Sequence, residues 1–210
     1  PGARSRLDRL RESTNIPMGS AGLPPLPRVI QTAAQRHDTD TVDGLSQGRY
    51  HLLSELGVGT SGTVYRAEDS ELGCQVALKL YFKSSDAERA VSEARLLTSV
   101  RHAGLITLCD YDPRGRYLTM ELCEGGSLRA RLRAKTRPPA TALSRAAEVA
   151  ETLAALHRAG IAHGDVKPDN LLFRGPGRSL RCATSDERAH GDLVLGDFGV
   201  ARRFRATGGV

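Results

Sequence analysis

The stretch Gly57-Val58-Gly59-Thr60-Ser61-Gly62-Thr63-Val64 lies between two predicted strands, and an apolar strand containing Val76-Ala77-Leu78-Lys79 follows it. Three glycines allow the backbone to turn tightly and to approach an anionic group closely. Their spacing differs from the GxxxxGK[ST] pattern, which disfavours a P-loop nucleotide site. On their own the glycines would also fit a plain hairpin turn, but the lysine strand that follows favours a loop lying over phosphates.

Lys79 occurs in an apolar strand, where an unpaired ammonium group would be costly to bury. It therefore needs negative partners, which are either the phosphates of a nucleotide or a carboxylate nearby in the fold. Apolar residues recur at helical spacing over residues 86–100, which predicts a helix directly after this strand. Glu93 and Glu88 both lie on that helix, and either of them is a candidate partner for Lys79.

Two further motifs follow in the second half of the chain. They are His163-Gly164-Asp165-Val166-Lys167-Pro168-Asp169-Asn170 and Asp197-Phe198-Gly199. Asn170 offers an amide oxygen and Asp197 a carboxylate, and oxygen ligands of this kind suit Mg²⁺ when phosphates and water complete its shell. Either motif alone would fit a loop turn. The two motifs together, with Lys167 and Asn170 following closely after Asp165, predict a metal and phosphate site.

In this order the motifs closely resemble those of eukaryotic-type (Hanks-type) serine/threonine protein kinases, over roughly residues 50–204. The resemblance implies an α+β, protein-kinase-like bilobal fold, with a complete N-lobe of five antiparallel strands plus one helix and a partial helical C-lobe. It implies ATP and Mg²⁺ as cofactors, with Lys79 and Glu93 at the phosphates. It further implies that Asp165 orients the substrate hydroxyl and that Lys167 neutralises the transferring phosphate.

The resemblance also predicts a nucleotide site. Met120 takes the gatekeeper position, the backbone from Glu121 to Cys123 faces the adenine, and Ser127 reaches the ribose. Side chains above and below the adenine ring, and four that align the two lobes, are implied in the same way. The predicted nucleotide-binding residues are Gly57, Val58, Gly59, Thr60, Ser61, Gly62, Val64, Ala77, Lys79, Met120, Glu121, Cys123, Ser127 and Leu172. The predicted interlobe stack is Leu97, Leu108, His163 and Phe198.

Several details bear on the kind of kinase. Lys167-Pro168 favours serine/threonine over tyrosine as acceptor, by analogy with the family. Gly164 stands where the family usually has an arginine that contacts a phosphate on the activation loop, so loop phosphorylation is in doubt as the switch. A His-Gly-Asp sequence also occurs in aminoglycoside-type small-molecule phosphotransferases, but the complete glycine loop and Asp197-Phe198-Gly199 favour the protein kinase branch.

The chain divides into an N-terminal arm (1–48) and a kinase domain (49–210), with an N-lobe (49–122), a hinge (121–126) and a partial C-lobe (127–210). Strands are predicted at 50–56, 63–68, 75–82, 104–111, 116–122, 171–173 and 193–196. Helices are predicted at 86–100, 127–134 and 143–158. The arm is either a flexible linker or a docking segment, and the long polar loop at 174–192 is either a surface insertion or a binding site for a regulatory partner.

Composition excludes several classes of protein. The chain has 210 residues, of which 40% are hydrophobic, and no apolar run approaches the roughly 20 residues that span a bilayer. Its four cysteines form no CxxC pair, so we expect reduced thiols and a cytoplasmic location. The net charge of +6 comes mainly from arginines scattered in loops with few aromatic residues between them, which disfavours nucleic-acid binding.

After Gly199 the chain continues only to Val210 and contains no Ala-Pro-Glu motif. We therefore expect it to be a fragment of a longer kinase rather than a short protein in its own right. Alone it is expected to be poorly stable or inactive, because the predicted helix at 143–158 would leave apolar surface uncovered. A scaffold of the pseudokinase type, which binds partners without turnover, is the alternative from another functional class.

Overall fold

A computed structural model describes residue 45 and residues 48–82, 86–134, 142–175 and 193–204. Most of the predicted arm and most of the predicted loop at 174–192 lie outside these described residues. The predictions made for those two segments therefore stay predictions. Of the helices that the structure describes, none is long and apolar enough to cross a bilayer.

The first half of the described chain is a five-stranded antiparallel sheet with one helix, as predicted. Its elements are β1 (Tyr50–Val58), β2 (Gly62–Asp69), β3 (Cys74–Tyr81), α1 (Ala87–Ser99), β4 (Leu108–Tyr111) and β5 (Tyr117–Glu121). The strands lie in the order β1-β2-β3-β5-β4. The glycine loop therefore connects the edge strand β1 to β2, next to the strand that carries Lys79.

The second half consists of helices and short strand pairs. Its elements are α2 (Leu128–Arg133), α3 (Ala142–Arg158), β6 (Ile161–Ala162), β7 (Leu171–Phe173), β8 (Leu193–Leu195) and β9 (Arg202–Arg203). β7 pairs with β8 and β6 pairs with β9, both antiparallel. These pairs hold the two segments that carry the second set of motifs beside each other, because residues 163–170 lie between β6 and β7 and residues 197–199 lie between β8 and β9.

The buried apolar residues form two clusters, and successive side chains of β3 point alternately into one cluster and away from it. Val76, Leu78 and Leu80 of β3 lie in a cluster within the sheet region, together with Tyr50 and Tyr65. Successive side chains of a strand point to opposite faces, so residues 77, 79 and 81 face the other way. That face looks toward the helical half of the molecule.

The second cluster joins the two halves of the molecule. It extends from Leu97 of α1 and Met120 of β5 to Leu156 of α3, Leu171 of β7 and Phe198. Apolar side chains from both halves share one core, so their relative position is set by burial of apolar surface as well as by the chain connection. The cavity described below lies beside this shared core.

The structure differs from the sequence predictions at one strand boundary and at one strand pair. β4 begins at Leu108 rather than at residue 104, because residues 104–106 instead bond the backbone of Leu195. The two-residue strands β6 and β9 were not predicted, because so short a pair has no periodicity that a sequence pattern can reveal.

Candidate active site

A cavity of about 550 Å³ lies between the sheet and the helical half. This volume falls within the range of about 300–1,000 Å³ that is usual for small-molecule sites. All fourteen predicted nucleotide-binding residues line it, together with Glu93, Asn170 and Asp197. The structure thus brings together residues that are spread over more than a hundred positions of the chain, while their binding of a nucleotide stays a prediction.

The sequence analysis missed some lining residues. They are Leu56, Ile106, Gly126, Ala130, Asp169 and Gly196, whereas Leu122, which also lines the cavity, belongs to the hinge backbone that was predicted to face the adenine. Asp169 and Gly196 adjoin predicted metal ligands, so proximity to the motifs was a usable signal for these two. The apolar residues carried no such signal, because a residue of that type serves equally well in any core.

Lys79 lies at the centre of an ion cluster in which it and Glu93 are buried and the side chain of Asp197 is 48% exposed. Its Nζ atom donates to both carboxylate oxygens of Glu93, at 3.0 and 2.9 Å, and to Oδ1 of Asp197 at 3.0 Å. Lys79 is 6% exposed and Glu93 is 1% exposed, whereas Glu88 is exposed on α1. The structure therefore places Glu93, rather than Glu88, at the lysine.

The electrostatics of this cluster favour the charged forms of Lys79 and Asp197. Burial alone would lower the pKa of Lys79, but the charges of Glu93 and Asp197 outweigh burial and leave that pKa above its ordinary value. Burial likewise opposes ionisation of Asp197, and the ammonium group of Lys79 nevertheless lowers the pKa of this carboxyl group. The site therefore holds a cation beside an ionised carboxylate at neutral pH.

Asp165 and Lys167 lie next to this cluster but do not line the cavity itself. Nζ of Lys167 donates to Oδ2 of Asp165 at 2.6 Å, and the amide nitrogen of Asn170 donates to the same oxygen at 3.1 Å. The hydrogen bond from Lys167 is the main reason why the pKa of Asp165 is lowered. An ionised, partly exposed carboxylate can accept a hydrogen bond from an incoming hydroxyl group.

The segments that carry these groups are fixed by buried contacts. Nε2 of His163 donates to the carbonyl oxygen of Gly196 at 3.0 Å, and its Nδ1 accepts from the N–H of Asp165 at 3.3 Å. The ring therefore carries its proton on Nε2, and burial lowers the pKa of His163, which keeps it neutral. The ring also packs against Phe198, with their centroids 4.8 Å apart. The four residues of the predicted interlobe stack accordingly lie in or against the shared core.

Asp197 adopts an unusual backbone conformation. Among the described residues it is the only one other than glycine with a positive φ, at 60°. Conformations of this kind are costly for a residue with a side chain, and they occur preferentially at functional sites. Here the strained backbone directs the Asp197 carboxylate to Lys79.

The oxygen donors at the cavity fit a magnesium ion that is shared with phosphates. The amide nitrogen of Asn170 donates to the carbonyl oxygen of Asp165 at 2.8 Å and to its carboxylate, so the amide oxygen of Asn170 is the atom left for a cation. In the described part of the chain, no three His, Cys, Asp or Glu side chains are grouped so as to hold a metal ion by themselves. Two protein oxygens plus phosphate and water are the usual ligand set of Mg²⁺.

The hinge is held by a buried ion pair that the sequence analysis did not anticipate. Arg174 was predicted to begin a polar loop, but its side chain is 8% exposed and contacts Glu121, which is 2% exposed. Its Nε and Nη2 atoms each donate to Glu121 at 2.8 Å, and its Nη1 donates to the carbonyl oxygen of Ala103 at 3.0 Å. The N–H of Glu121 donates to Thr107, so this group is not available to a nucleotide.

Ser127 lies directly before α2, at the start of the helix that was predicted over residues 127–134. Its hydroxyl oxygen accepts from the N–H of Ala130 at 3.2 Å and caps the helix. Cys123 lies between this cap and β5, and burial raises the pKa of its thiol to about 12, so the thiol is protonated. Contact of either side chain with a nucleotide stays a prediction.

The three glycines of the loop differ in how much space surrounds them. A Cβ atom on Gly57 would meet nothing within 4 Å, and one on Gly59 would make an ordinary contact of 3.6 Å with the carbonyl oxygen of Gly62. A Cβ atom on Gly62, in contrast, would overlap the carbonyl oxygen of Leu80 and lie 3.1 Å from Cα of Tyr81. Gly62 is thus required by packing against β3, whereas Gly57 and Gly59 leave room at the cavity.

Gly62→Ala is therefore expected to destabilise the protein, while Gly57→Ala serves as its matched control. Overpacking against backbone atoms costs about 1–3 kcal/mol, and a substitution into open space changes stability by less than about 0.5 kcal/mol. Urea unfolding of the two variants measures the difference. Equal stability of the two would contradict the close approach of β3 at position 62.

Most of the chain is similar to known proteins. The family model for the protein kinase domain matches residues 50–209. The chain is 38% identical over 162 residues to the serine/threonine-protein kinase pkn2 of Myxococcus xanthus, an alignment that covers 74% of this chain and 18% of that protein. It is 35% identical over 171 residues to the serine/threonine-protein kinase PknL of Mycobacterium tuberculosis, covering 78% of this chain and 39% of that protein.

A third relative is the DNA damage-responsive serine/threonine-protein kinase RqkA of Deinococcus radiodurans, which is 39% identical over 142 residues. That alignment covers 63% of this chain and 21% of RqkA. The chain thus spans well under half the length of the curated relatives that it matches here.

Proposed function

The chain belongs to the protein kinase domain family, and on that premise we propose that the protein transfers the γ-phosphoryl group of ATP to serine or threonine hydroxyl groups of other proteins. The observation that carries this proposal is the cluster in which the buried Lys79 contacts the buried Glu93 and the half-exposed Asp197 at the wall of a cavity of nucleotide size. This cluster presents a fixed cation to phosphates at low cost in reorganisation. The bacterial relatives named serine/threonine-protein kinases support the same reaction.

In the proposed reaction the acceptor oxygen attacks the γ-phosphorus atom, and the bond from that atom to the β–γ bridging oxygen breaks, which releases ADP. Asp165 orients the acceptor hydroxyl and receives its proton, because its carboxylate is ionised and partly exposed. Lys79 and Lys167 balance the negative charge of the phosphates. When bound, Mg²⁺ would be held by Asn170 and Asp197, where it would neutralise charge on the phosphate oxygens.

The nucleotide is proposed to lie along the cavity, with its phosphates at the glycine loop and its base at the hinge. Val64, Ala77 and Leu172 supply apolar surface on the cavity wall for the base, and Met120 limits its depth. Because the N–H of Glu121 is already bonded to Thr107, we propose that backbone groups further along the hinge, toward Cys123, donate to the base.

Two alternatives remain from the sequence. A small-molecule phosphotransferase of the aminoglycoside type would use a similar carboxylate but take a different acceptor. A scaffold would bind partners through the same fold without turnover. The side chains proposed for phosphoryl transfer line one cavity or, in the case of Asp165 and Lys167, lie beside it, and this favours the enzyme over the scaffold.

The test is to incubate the intact protein with γ-labelled ATP and Mg²⁺, offering a general protein substrate and, in parallel, an aminoglycoside. We expect Mg²⁺-dependent label on phosphoserine or phosphothreonine, and none after Mg²⁺ is chelated. Label on the aminoglycoside would favour the small-molecule reaction. ATP binding by calorimetry without any transfer would favour the scaffold, and absence of ATP binding would reject both the enzyme and its site.

We also propose a cellular location and binding partners for the protein. The four cysteines of the sequence form no CxxC pair, and on this basis we retain the proposal of a reducing, cytoplasmic environment. We retain the proposal that a regulatory partner binds the N-terminal arm or the loop at 174–192. ATP and a protein substrate are the partners that the site itself would require.

A further inference from the structure

Tyr81 lies in the interior of the molecule two residues after Lys79 on β3 and is 5% exposed. Residues two apart on a strand point to the same face of the sheet. Tyr81 and Lys79 therefore project side by side toward α1, which carries Glu93. Nothing in the motif analysis singled out this tyrosine, because a buried aromatic residue fits any strand of a core.

The hydroxyl group of Tyr81 contacts the same carboxylate that holds the lysine. Its Oη atom donates to Oε2 of Glu93 at 2.7 Å, and Nζ of Lys79 lies 2.9 Å from the same oxygen. The ammonium group is also 5.3 Å from the centroid of the Tyr81 ring. Glu93 thus accepts hydrogen bonds from two neighbouring side chains of β3, and its position is fixed from two directions.

Burial keeps this phenol in its donating form. Burial, reinforced by the negative charge of Glu93, raises the pKa of Tyr81 above its ordinary value, so the hydroxyl group retains its proton. A hydrogen bond from a neutral donor to a carboxylate is stronger than one between two neutral groups. If α1 moved away from the sheet, both the buried hydroxyl and the buried ammonium would lose this partner, which is unfavourable.

We propose that Tyr81 is a positioning residue for phosphoryl transfer, which holds Glu93 and helix α1 in the place where Glu93 orients Lys79. This inference rests on the proposed function, because Lys79 acts on the phosphates of ATP only in that reaction. Tyr81 itself does not line the cavity. Its contribution passes through Glu93, so removing the hydroxyl should lower turnover more than it weakens nucleotide binding.

The test compares Tyr81→Phe with Tyr50→Phe. Tyr50 is also buried, at 1% exposure, and its hydroxyl group donates to Oδ2 of Asp110 at 3.0 Å, in the cluster on the other face of the sheet. Each substitution thus removes one phenol-to-carboxylate hydrogen bond and keeps the ring. If the hydroxyl group of Tyr81 contributed only to stability, both variants would lose thermal stability and both would keep the wild-type kcat.

For Tyr81→Phe we expect kcat to fall about tenfold, the factor that corresponds to a hydrogen bond with a charged group, while KM for ATP changes little. For Tyr50→Phe we expect loss of thermal stability without a change in kcat. In a Glu93→Gln background, Tyr81→Phe should add little further loss, because residues that act through one another are not additive. Tyr81→Leu is measured alongside as a second variant that lacks the hydroxyl group.

Hydrogen exchange of the α1 amides, residues 87–99, is measured on the same samples. We expect faster exchange in Tyr81→Phe than in Tyr50→Phe. Equal exchange, or an unchanged kcat in Tyr81→Phe, would overturn the positioning role. If the wild-type protein transfers no phosphate, the proposed function fails, but the exchange comparison still decides whether Tyr81 holds α1.

Discussion

Replacing Asp165 by Asn is expected to lower kcat for phosphoryl transfer by about 10²- to 10⁴-fold, the usual contribution of a general base. The amide group has nearly the same size as the carboxylate but cannot accept the proton of the attacking hydroxyl group. The backbone carbonyl of residue 165, which accepts from Asn170 at 2.8 Å, is unchanged by the substitution. The loss should therefore appear in turnover, as measured by initial rates of label transfer from ATP.

Stability and nucleotide binding should change little in the same variant. The ion pair of Asp165 with Lys167 involves side chains that are 34% and 45% exposed. Exposed pairs of this kind contribute about 0–1 kcal/mol to stability. Asp165 does not line the cavity, so KM for ATP should stay close to its wild-type value.

Glu148→Gln is the matched control for this experiment. Glu148 is 36% exposed and pairs with Arg145 on α3 at 2.8 Å, so its removal changes one charge at a similar exposure but away from the cavity. We expect kcat of the control to remain at the wild-type level. If Asp165→Asn kept more than a tenth of the wild-type kcat, Asp165 would not be the residue that accepts the proton.

The largest loss of stability is expected for Arg174→Met. Removing one partner of a buried ion pair leaves an uncompensated charge and costs about 3–5 kcal/mol. Here that charge would be on Glu121, which is 2% exposed, and the carbonyl oxygen of Ala103 would also lose its donor. Since about 1 kcal/mol shifts the melting temperature of a domain this size by about 2–4 °C, we expect Tm to fall by roughly 10 °C.

Two further variants test the cause of that loss. Arg66→Met removes the cation of a pair with Glu124 that is 3.4 Å long and about one third exposed on both sides, and it should cost less than about 1 kcal/mol. Adding Glu121→Gln to Arg174→Met should recover much of the stability, because the amide is neutral and still accepts from the N–H of Thr107. A loss for Arg174→Met no greater than that for Arg66→Met would contradict the buried pair.

Much of the fold could be predicted from local patterns. Alternation of apolar residues and the position of the glycines located β1, β2 and β3, and helical spacing located α1 with Glu93 on it. These features depend on neighbours only a few positions away, which a sequence displays directly. Strand ends were less accurate, as at β4, because they depend on which distant backbone groups are available for hydrogen bonds.

In the candidate site, too, some residues could be predicted from the sequence and others could not. Its motif residues could be identified because each motif is short and has a characteristic spacing. Arg174 could not, since an arginine beside a Gly-Pro-Gly segment has the composition of a surface loop, and its partner Glu121 lies 53 positions away. The hydroxyl group of Tyr81 gave no signal either, because the pattern of β3 would be the same with phenylalanine.

The amino-acid sequence by itself determined the order of the strands along the chain, the identity of the phosphate- and metal-site candidates, and the family resemblance. The folded chain was needed to show that Lys79 meets Asp197 across 118 positions and that Gly62 is required by β3. It was also needed to show that Arg174 and Tyr81 hold the buried carboxylates of Glu121 and Glu93. The physical reason is that local conformation follows from backbone preferences and periodicity, whereas the partner of a buried polar group is chosen by whichever donor the packed core brings within hydrogen-bonding distance.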